Sequence, residues 1–282
     1  MKDFFGKDLS GLKEKKLFLF DMDGTIYLGN TLFDGVLELL DLIAERGGRY
    51  VFITNNSSKS VIDYVKKLNR LGIEKVTEEN FFTSTQATAM LMKEKFPTGL
   101  LYAQGTNSFV AELRANGLNV TTEYDEKADA IVVGYDTELT YEKMMTTCKM
   151  LKLDLPYYAA NCDWVCPYEF GAAPDCGWMC KGYEMAMGKS PVFIGKPEPT
   201  MIEVVGKKFG ASKEDILVIG DRLYTDIASG NNAGVDTMCV LSGEVTAEEV
   251  VETIRSQMPE KEAHKPTYTA LDVTALLATL KE

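Results

Sequence analysis

Two aspartates separated by one residue stand in Asp21-Met22-Asp23-Gly24-Thr25, directly after the short run Lys16 to Phe20, which is apolar behind a basic flank. Such a run reads as a buried strand delivering carboxylates at its C-terminal end, where a loop can turn both into one cleft. There they can divide the work of a hydrolysis. Asp21 has the chemistry of a nucleophile that attacks phosphorus and forms an acyl phosphate, splitting the reaction into two steps. Asp23 is then free to protonate the leaving oxygen and later to deprotonate the attacking water.

Remote residues complete that chemistry. Magnesium suits a site offering hard oxygen ligands, here Asp21, the backbone oxygen of Asp23 and the distant Asp221. Asp226 closes the stretch Gly220-Asp221-Arg222-Leu223-Tyr224-Thr225-Asp226. If a helix begins at Leu223, Asp226 falls in its first turn, where it can face the metal's water or orient Lys196. Thr54 carries a hydroxyl at another strand end, and the amides of Asn55 and Asn56 could receive phosphate oxygens. Lys196 adds a point positive charge. Each residue also has a structural reading: Asp21 as a turn cap, Asp23-Gly24 as a turn pair, Thr54 as a cap, Lys196 as a solvated lysine, and Asp221 and Asp226 as helix-start acids. Their placement after three apolar strands is harder to explain residue by residue.

The elements that must position these groups follow a strand-helix alternation. Gly35 to Glu45 has helical spacing at Val36, Leu39, Leu40 and Ile43, Arg49 to Ile53 reads as a second buried strand, and Ser57 or Ser58 could cap a helix carrying Val61, Val65 and Leu68. This order implies a parallel sheet with right-handed crossovers, so polar residues at successive strand ends meet at one edge. A second alternation runs from Thr85 to Ala159, and the first pattern resumes with strands at Pro191 to Ile194, Ile216 to Ile219 and Thr237 to Leu241 and a closing helix at Leu271 to Leu280. The expected organisation is an α/β protein with a Rossmann-like parallel-sheet core in two segments, 1–82 and 188–282, around a large inserted α/β cap at 83–187.

The 282-residue chain is 45% apolar and 26% charged, within the globular range. Its 42 acidic against 30 basic residues, a net charge of −12, disfavour a nucleic-acid polymer as partner. No apolar stretch has the length of a membrane span and neither terminus reads as a targeting signal, so a cytoplasmic location is the simplest expectation. Cys162, Cys166, Cys176 and Cys180 form two pairs with three intervening residues; ordinary reduced thiols in an irregular segment are expected, with a four-thiolate zinc site or a redox pair as alternatives. His264 is the only histidine, which leaves Ser-His-acid schemes poorly supported.

Asp21 to Thr25, Thr54-Asn55-Asn56, Gly195-Lys196-Pro197 and Gly220 to Asp226 together resemble, in order, the four motifs of the haloacid-dehalogenase superfamily, specifically its NagD-like phosphatases with an inserted α/β cap. Leu101 to Gly105 and Val132-Val133-Gly134 resemble the cap. The resemblance implies Asp21 as nucleophile, Asp23 as general acid/base, Thr54 and Lys196 as phosphate binders, Asp221 as outer magnesium ligand and Asp226 as its accompanying acid. It also implies dimerisation through the cap as an option. Tyr224 stands where members of this group often carry a smaller acidic residue. Asp23 favours hydrolysis of a phosphate ester over dehalogenation, because a departing halide needs no proton donor. A sugar phosphomutase and a non-enzymatic sugar-phosphate sensor are the alternative functions. The expected substrate is a small phosphorylated metabolite: a sugar phosphate, phosphoglycolate, pyridoxal phosphate or a nucleoside monophosphate. Asn161, Cys162 and Asp163, after a cap strand, are candidates for selectivity; Trp164 and Tyr168 could offer a surface for a ring, while Trp178 is as readily a packing residue.

Overall fold

Leu17–Phe20 is apolar at every position because it is buried on both faces. In the computed structural model, which describes residues 1–168 and 170–282, this strand lies inside a six-stranded sheet. The spatial order is Tyr268–Ala270, Asp236–Val240, Ile216–Gly220, Leu17–Phe20, Arg49–Thr54, Phe81–Thr83. Leu17 to Phe20 pair in parallel with Ile216 to Ile219 on one side and with Arg49 to Phe52 on the other. All five residues of Ile216–Gly220 are buried. Each buried Leu, Ile or Phe contributes about 1.5–3 kcal/mol relative to exposure. The Val36–Glu45 helix supplies a crossover and buries the stripe Val36, Leu39, Leu40 and Ile43. Because the central strands run parallel and in register, Asp21 and Asp221 leave the same edge.

A second sheet of five parallel strands has the order Val192–Phe193, Tyr157–Ala159, Ala130–Val133, Leu100–Gln104, Asn119–Thr121. Side chains of Thr106, Thr140 and Asp175 cap the Asn107–Ala115, Tyr141–Leu151 and Cys176–Met187 helices, each satisfying a backbone N–H that the first turn would leave unbonded. Contacts divide the chain into two compact units, one of Met1–Ile53, Val65–Phe82 and Lys196–Glu282, the other of Thr54–Tyr64 and Thr83–Gly195. Among the described residues no helix is long and apolar enough to cross a membrane.

The architecture is the expected α/β one, with particular corrections. The strand expected at Pro191 to Ile194 to resume the first sheet is instead the edge of the second, Val192 pairing with Tyr158 and Phe193 with Ala159. Two residues of strand carry no signal of which sheet they join. The cysteine-rich stretch, expected to be irregular, carries regular elements among its described residues: Val165–Tyr168 and Gly171–Pro174 form an antiparallel pair, and Cys176 and Cys180 lie on a helix that buries Cys176, Met179, Cys180 and Tyr183. That spacing of three, four and seven is helical, and the neighbouring Pro and Gly residues obscured it. The Val61–Arg70 helix is entered through Ser60, not Ser57 or Ser58: Ser60 N–H donates to Asp63 Oδ2 at 3.1 Å and Asp63 N–H donates to Ser60 Oγ at 3.3 Å.

Candidate active site

The chain turns sharply after the first strand. Asp21 N–H continues the ladder to Ile219 O at 2.8 Å, Met22 is buried, and Met22 O accepts the Ile26 N–H at 2.8 Å. Gly24 has φ +86°, and a Cβ there would stand 2.4 Å from Asp221 Oδ2, so this turn admits only glycine. Thr25 is fully buried behind it.

Asp221 follows Ile216–Gly220 directly. Its Oδ2 accepts the Glu244 N–H at 2.7 Å. The same loop is tied back by Ser242, whose hydroxyl donates to Gly24 O at 2.7 Å. Asp226 sits in a π-helical turn, Leu223–Ile227, a local widening that often marks functional sites. Its Oδ2 accepts the Arg222 N–H at 3.0 Å and its Oδ1 accepts Lys196 Nζ at 2.5 Å. A Cβ at Gly220 would lie 2.3 Å from the Asp226 Cβ, which explains glycine at that strand end. Lys196 Nζ also donates to Asp21 Oδ1 at 2.6 Å. One carboxylate oxygen from each of Asp21, Asp221 and Asp226 lies within 4.8 Å of the others, close enough to hold a metal ion among them.

Two of the three carboxylates, Asp21 and Asp226, share Lys196. Burial, with the charges of Asp226 and Asp221, raises the Asp21 carboxyl well above its usual range despite Lys196. Burial and the Asp226 charge likewise push Asp221 up to about 7, against the opposing Glu244 N–H. Burial works against the Lys196 charge, but Asp21 and Asp226 outweigh it and hold the ammonium above its ordinary value. The carboxylates thus exceed the fixed positive charge, and the all-oxygen donor set fits a hard divalent cation.

A pH dependence follows. The folded-state values of Asp21 and Asp221 are raised above the unfolded carboxylate value of about 4, so the metal-free folded protein holds protons that the unfolded chain releases. The stability these groups contribute is present below about pH 4 and is lost as pH rises through about 7 for Asp221. A bound cation removes that penalty. Thermal denaturation with Mg2+ against EDTA is expected to show a larger metal-induced rise in Tm at pH 8 than at pH 5, where protons compete for the oxygens. At 100 times Kd the stabilisation is about 2.7 kcal/mol. An equal rise at both pH values would contradict the assignment.

The remaining candidates gather in the other unit. Thr54 Oγ1 accepts the Asn56 N–H at 3.2 Å. Asn55 Nδ2 donates to Asp163 Oδ1 at 3.1 Å, Asn161 Nδ2 donates to Asn55 O at 2.7 Å, and Asp163 N–H donates to Asn161 Oδ1 at 3.0 Å. Ser84 Oγ adds a second bond to Asn55 O at 2.6 Å. Asn161 and Asp163 are buried, and their bonds grip the Thr54-Asn55-Asn56 turn. Cys162 is partly buried, and none of the six cysteines is paired in a disulfide. Among the described residues the grouping with metal-ligand geometry is the aspartate one rather than a cysteine one. Sequence reasoning missed Ser84, Ser242 and Glu244. Ser242 could have been found, since it follows an apolar strand whose carboxyl end must open on the same crevice.

The chain is similar to known proteins over nearly its whole length. A family described as haloacid dehalogenase-like hydrolase matches residues 18–119, and a second, described as HAD-hydrolase-like, matches residues 193–276. The chain is 33% identical over 271 residues to an acid sugar phosphatase of Staphylococcus saprophyticus, covering 96% of this chain and 100% of that protein. The structure of a 4-nitrophenylphosphatase from Thermotoga maritima superposes with a TM-score of 0.86 at 35% identity, covering 96% of this chain and 99% of that one. A glycerol phosphate phosphatase from Mycobacterium tuberculosis in complex with magnesium gives 0.84 at 28% identity, covering 98% and 79%.

Proposed function

The chain belongs to the haloacid dehalogenase-like hydrolases, as a phosphatase of their NagD-like group, and from that membership we propose that it hydrolyses sugar phosphates through a phosphorylated Asp21. The observation that carries the reading is the convergence of Asp21, Lys196, Asp221 and Asp226 at one sheet edge. An Asp21 oxygen attacks phosphorus, and the bond from phosphorus to the sugar oxygen breaks as Asp23 gives that oxygen its proton. Water then attacks the acyl phosphate, Asp23 takes the water proton, and phosphate departs with the Asp21 carboxylate restored. Lys196, fixed between Asp21 and Asp226, presents its ammonium to phosphoryl oxygens. When bound to Asp21, the Asp23 backbone oxygen and Asp221, Mg2+ supplies the positive charge that lets a phosphate dianion approach a carboxylate.

The similarity to an acid sugar phosphatase supports sugar phosphates ahead of the other candidates. Thr54, Asn55 and Asn56 bind phosphate in this reading, and Asn161, Cys162 and Asp163 of the inserted segment set selectivity. The test ranks kcat/KM over sugar phosphates, glycerol phosphate, phosphoglycolate, pyridoxal phosphate and nucleoside monophosphates, with Mg2+ or with EDTA. Sugar phosphates are expected to lead and EDTA to abolish turnover. Asp163→Asn is expected to reorder the ranking more than it changes turnover of 4-nitrophenyl phosphate. Release of an isomeric sugar phosphate in place of inorganic phosphate would identify a mutase, and tight binding without turnover a sensor.

A further inference from the structure

Asp23 carries the proposed proton transfers, and its side chain is 46% exposed, so free rotation would have to be prevented by something. The turn after Asp21 supplies it. Asp23 and Tyr27 form an isolated β-bridge, and Gly24 N–H donates to Tyr27 O at 2.8 Å. Tyr27 is fully buried, and its hydroxyl donates to Asp23 Oδ2 at 3.1 Å. On the other oxygen, Lys67 Nζ stands 3.6 Å from Asp23 Oδ1. The same ammonium lies 3.7 Å from the Tyr27 ring centroid, a cation-aromatic contact of about 0.5–2 kcal/mol. Lys67 comes from the Val61–Arg70 helix and its side chain is only 17% exposed, so the charge is held in place.

The geometry points to Tyr27 and Lys67 as positioning residues that make Asp23 Oδ1 the proton-carrying oxygen, an inference that rests on the reading of Asp23 as the acid/base. Tyr27 occupies Oδ2 with its one hydroxyl proton. Lys67 is beyond hydrogen-bond length from Oδ1, so that oxygen remains open to a proton. As the bond from phosphorus to the leaving oxygen breaks, the proton passes from Oδ1 to that oxygen. The carboxylate left behind lies between the Tyr27 hydroxyl and the Lys67 ammonium. In the second step Oδ1 takes a proton from the attacking water. An ion pair on a half-exposed carboxylate adds little stability, whereas fixing a catalytic oxygen changes the fraction of encounters with reactive geometry.

Leaving-group dependence separates this role from a structural one. Single-turnover phosphorylation rates and steady-state KM are compared for glycerol phosphate and 4-nitrophenyl phosphate, under saturating Mg2+, in Tyr27→Phe, Lys67→Met, Lys67→Arg and Asp23→Asn. Tyr27→Phe and Lys67→Met are each expected to slow the alkyl ester about tenfold and the aryl ester less than about twofold, a fraction of what proton transfer as a whole supplies. KM should hold, and Lys67→Arg should recover most of the alkyl rate. The aryl ester reports that each variant is folded. Equal losses on both esters, or none on either, would overturn the positioning role. An alkyl-specific loss in Asp23→Asn without one in Tyr27→Phe would overturn this inference alone, and no alkyl-specific loss in Asp23→Asn would remove the acid/base reading beneath it.

Discussion

Asp21→Asn is expected to abolish both turnover and the covalent phosphate, because a neutral amide oxygen cannot make the attack and is a poorer metal ligand. Removing a nucleophile can lower kcat by about 10⁶. Acid-quench of a single turnover with 4-nitrophenyl phosphate measures the intermediate directly, and covalent phosphate still accumulating at residue 21 would defeat the mechanism. The same substitution has an opposite consequence for stability. It removes one partner of Lys196, which still has Asp226 at 2.5 Å. It also removes a buried charge whose burial and carboxylate neighbours outweigh the lysine and raise its pKa. The second effect is the larger, so the metal-free variant is expected to melt no lower than the parent protein at pH 7. A clearly lower Tm in EDTA would show that the ion pair had been undervalued.

Asp23→Asn should separate chemistry from binding. Its proposed metal contact is the backbone oxygen, which the substitution keeps, and its half-exposed side chain contributes little to packing. The Mg2+-induced rise in Tm is therefore expected to remain. Loss of proton transfer is expected to slow alkyl phosphates by about 10²–10⁴-fold, with the smallest penalty for 4-nitrophenyl phosphate, whose leaving oxide needs little protonation. A correctly folded variant that hydrolysed glycerol phosphate at the parent rate would exclude Asp23 as the acid.

Asp21 and Asp221 each follow an uninterrupted apolar run, Leu17 to Phe20 and Ile216 to Ile219. Burial on both faces of a central parallel strand forces that composition, so strand ends, and the polar residues beyond them, can be read directly. The in-register pairing of Phe20 with Ile219 then brings the two aspartates to one edge. The Val36 to Ile43 helix was legible for a related reason, since a half-buried helix repeats its apolar residues at its own period.

Other features left no such trace. Val192–Phe193 is too short for periodicity, and only its pairing with Tyr158 and Ala159 decides its sheet. Asn161 and Asp163 read as selectivity candidates from their place after a cap strand, but nothing in the sequence marks that their side chains bond Asn55, more than a hundred residues away. Glu244 serves Asp221 through a backbone N–H, which every residue except proline possesses, so no side-chain motif could mark it. Tyr27 reads as an ordinary core aromatic and Lys67 as a surface lysine on an amphipathic helix. Their shared contact with Asp23 exists because the tertiary fold places one hydroxyl and one ammonium on the two oxygens of a single carboxylate. The one-dimensional pattern records which residues must be buried, since burial acts on each residue separately; which polar groups meet depends on distances between segments that only folding sets.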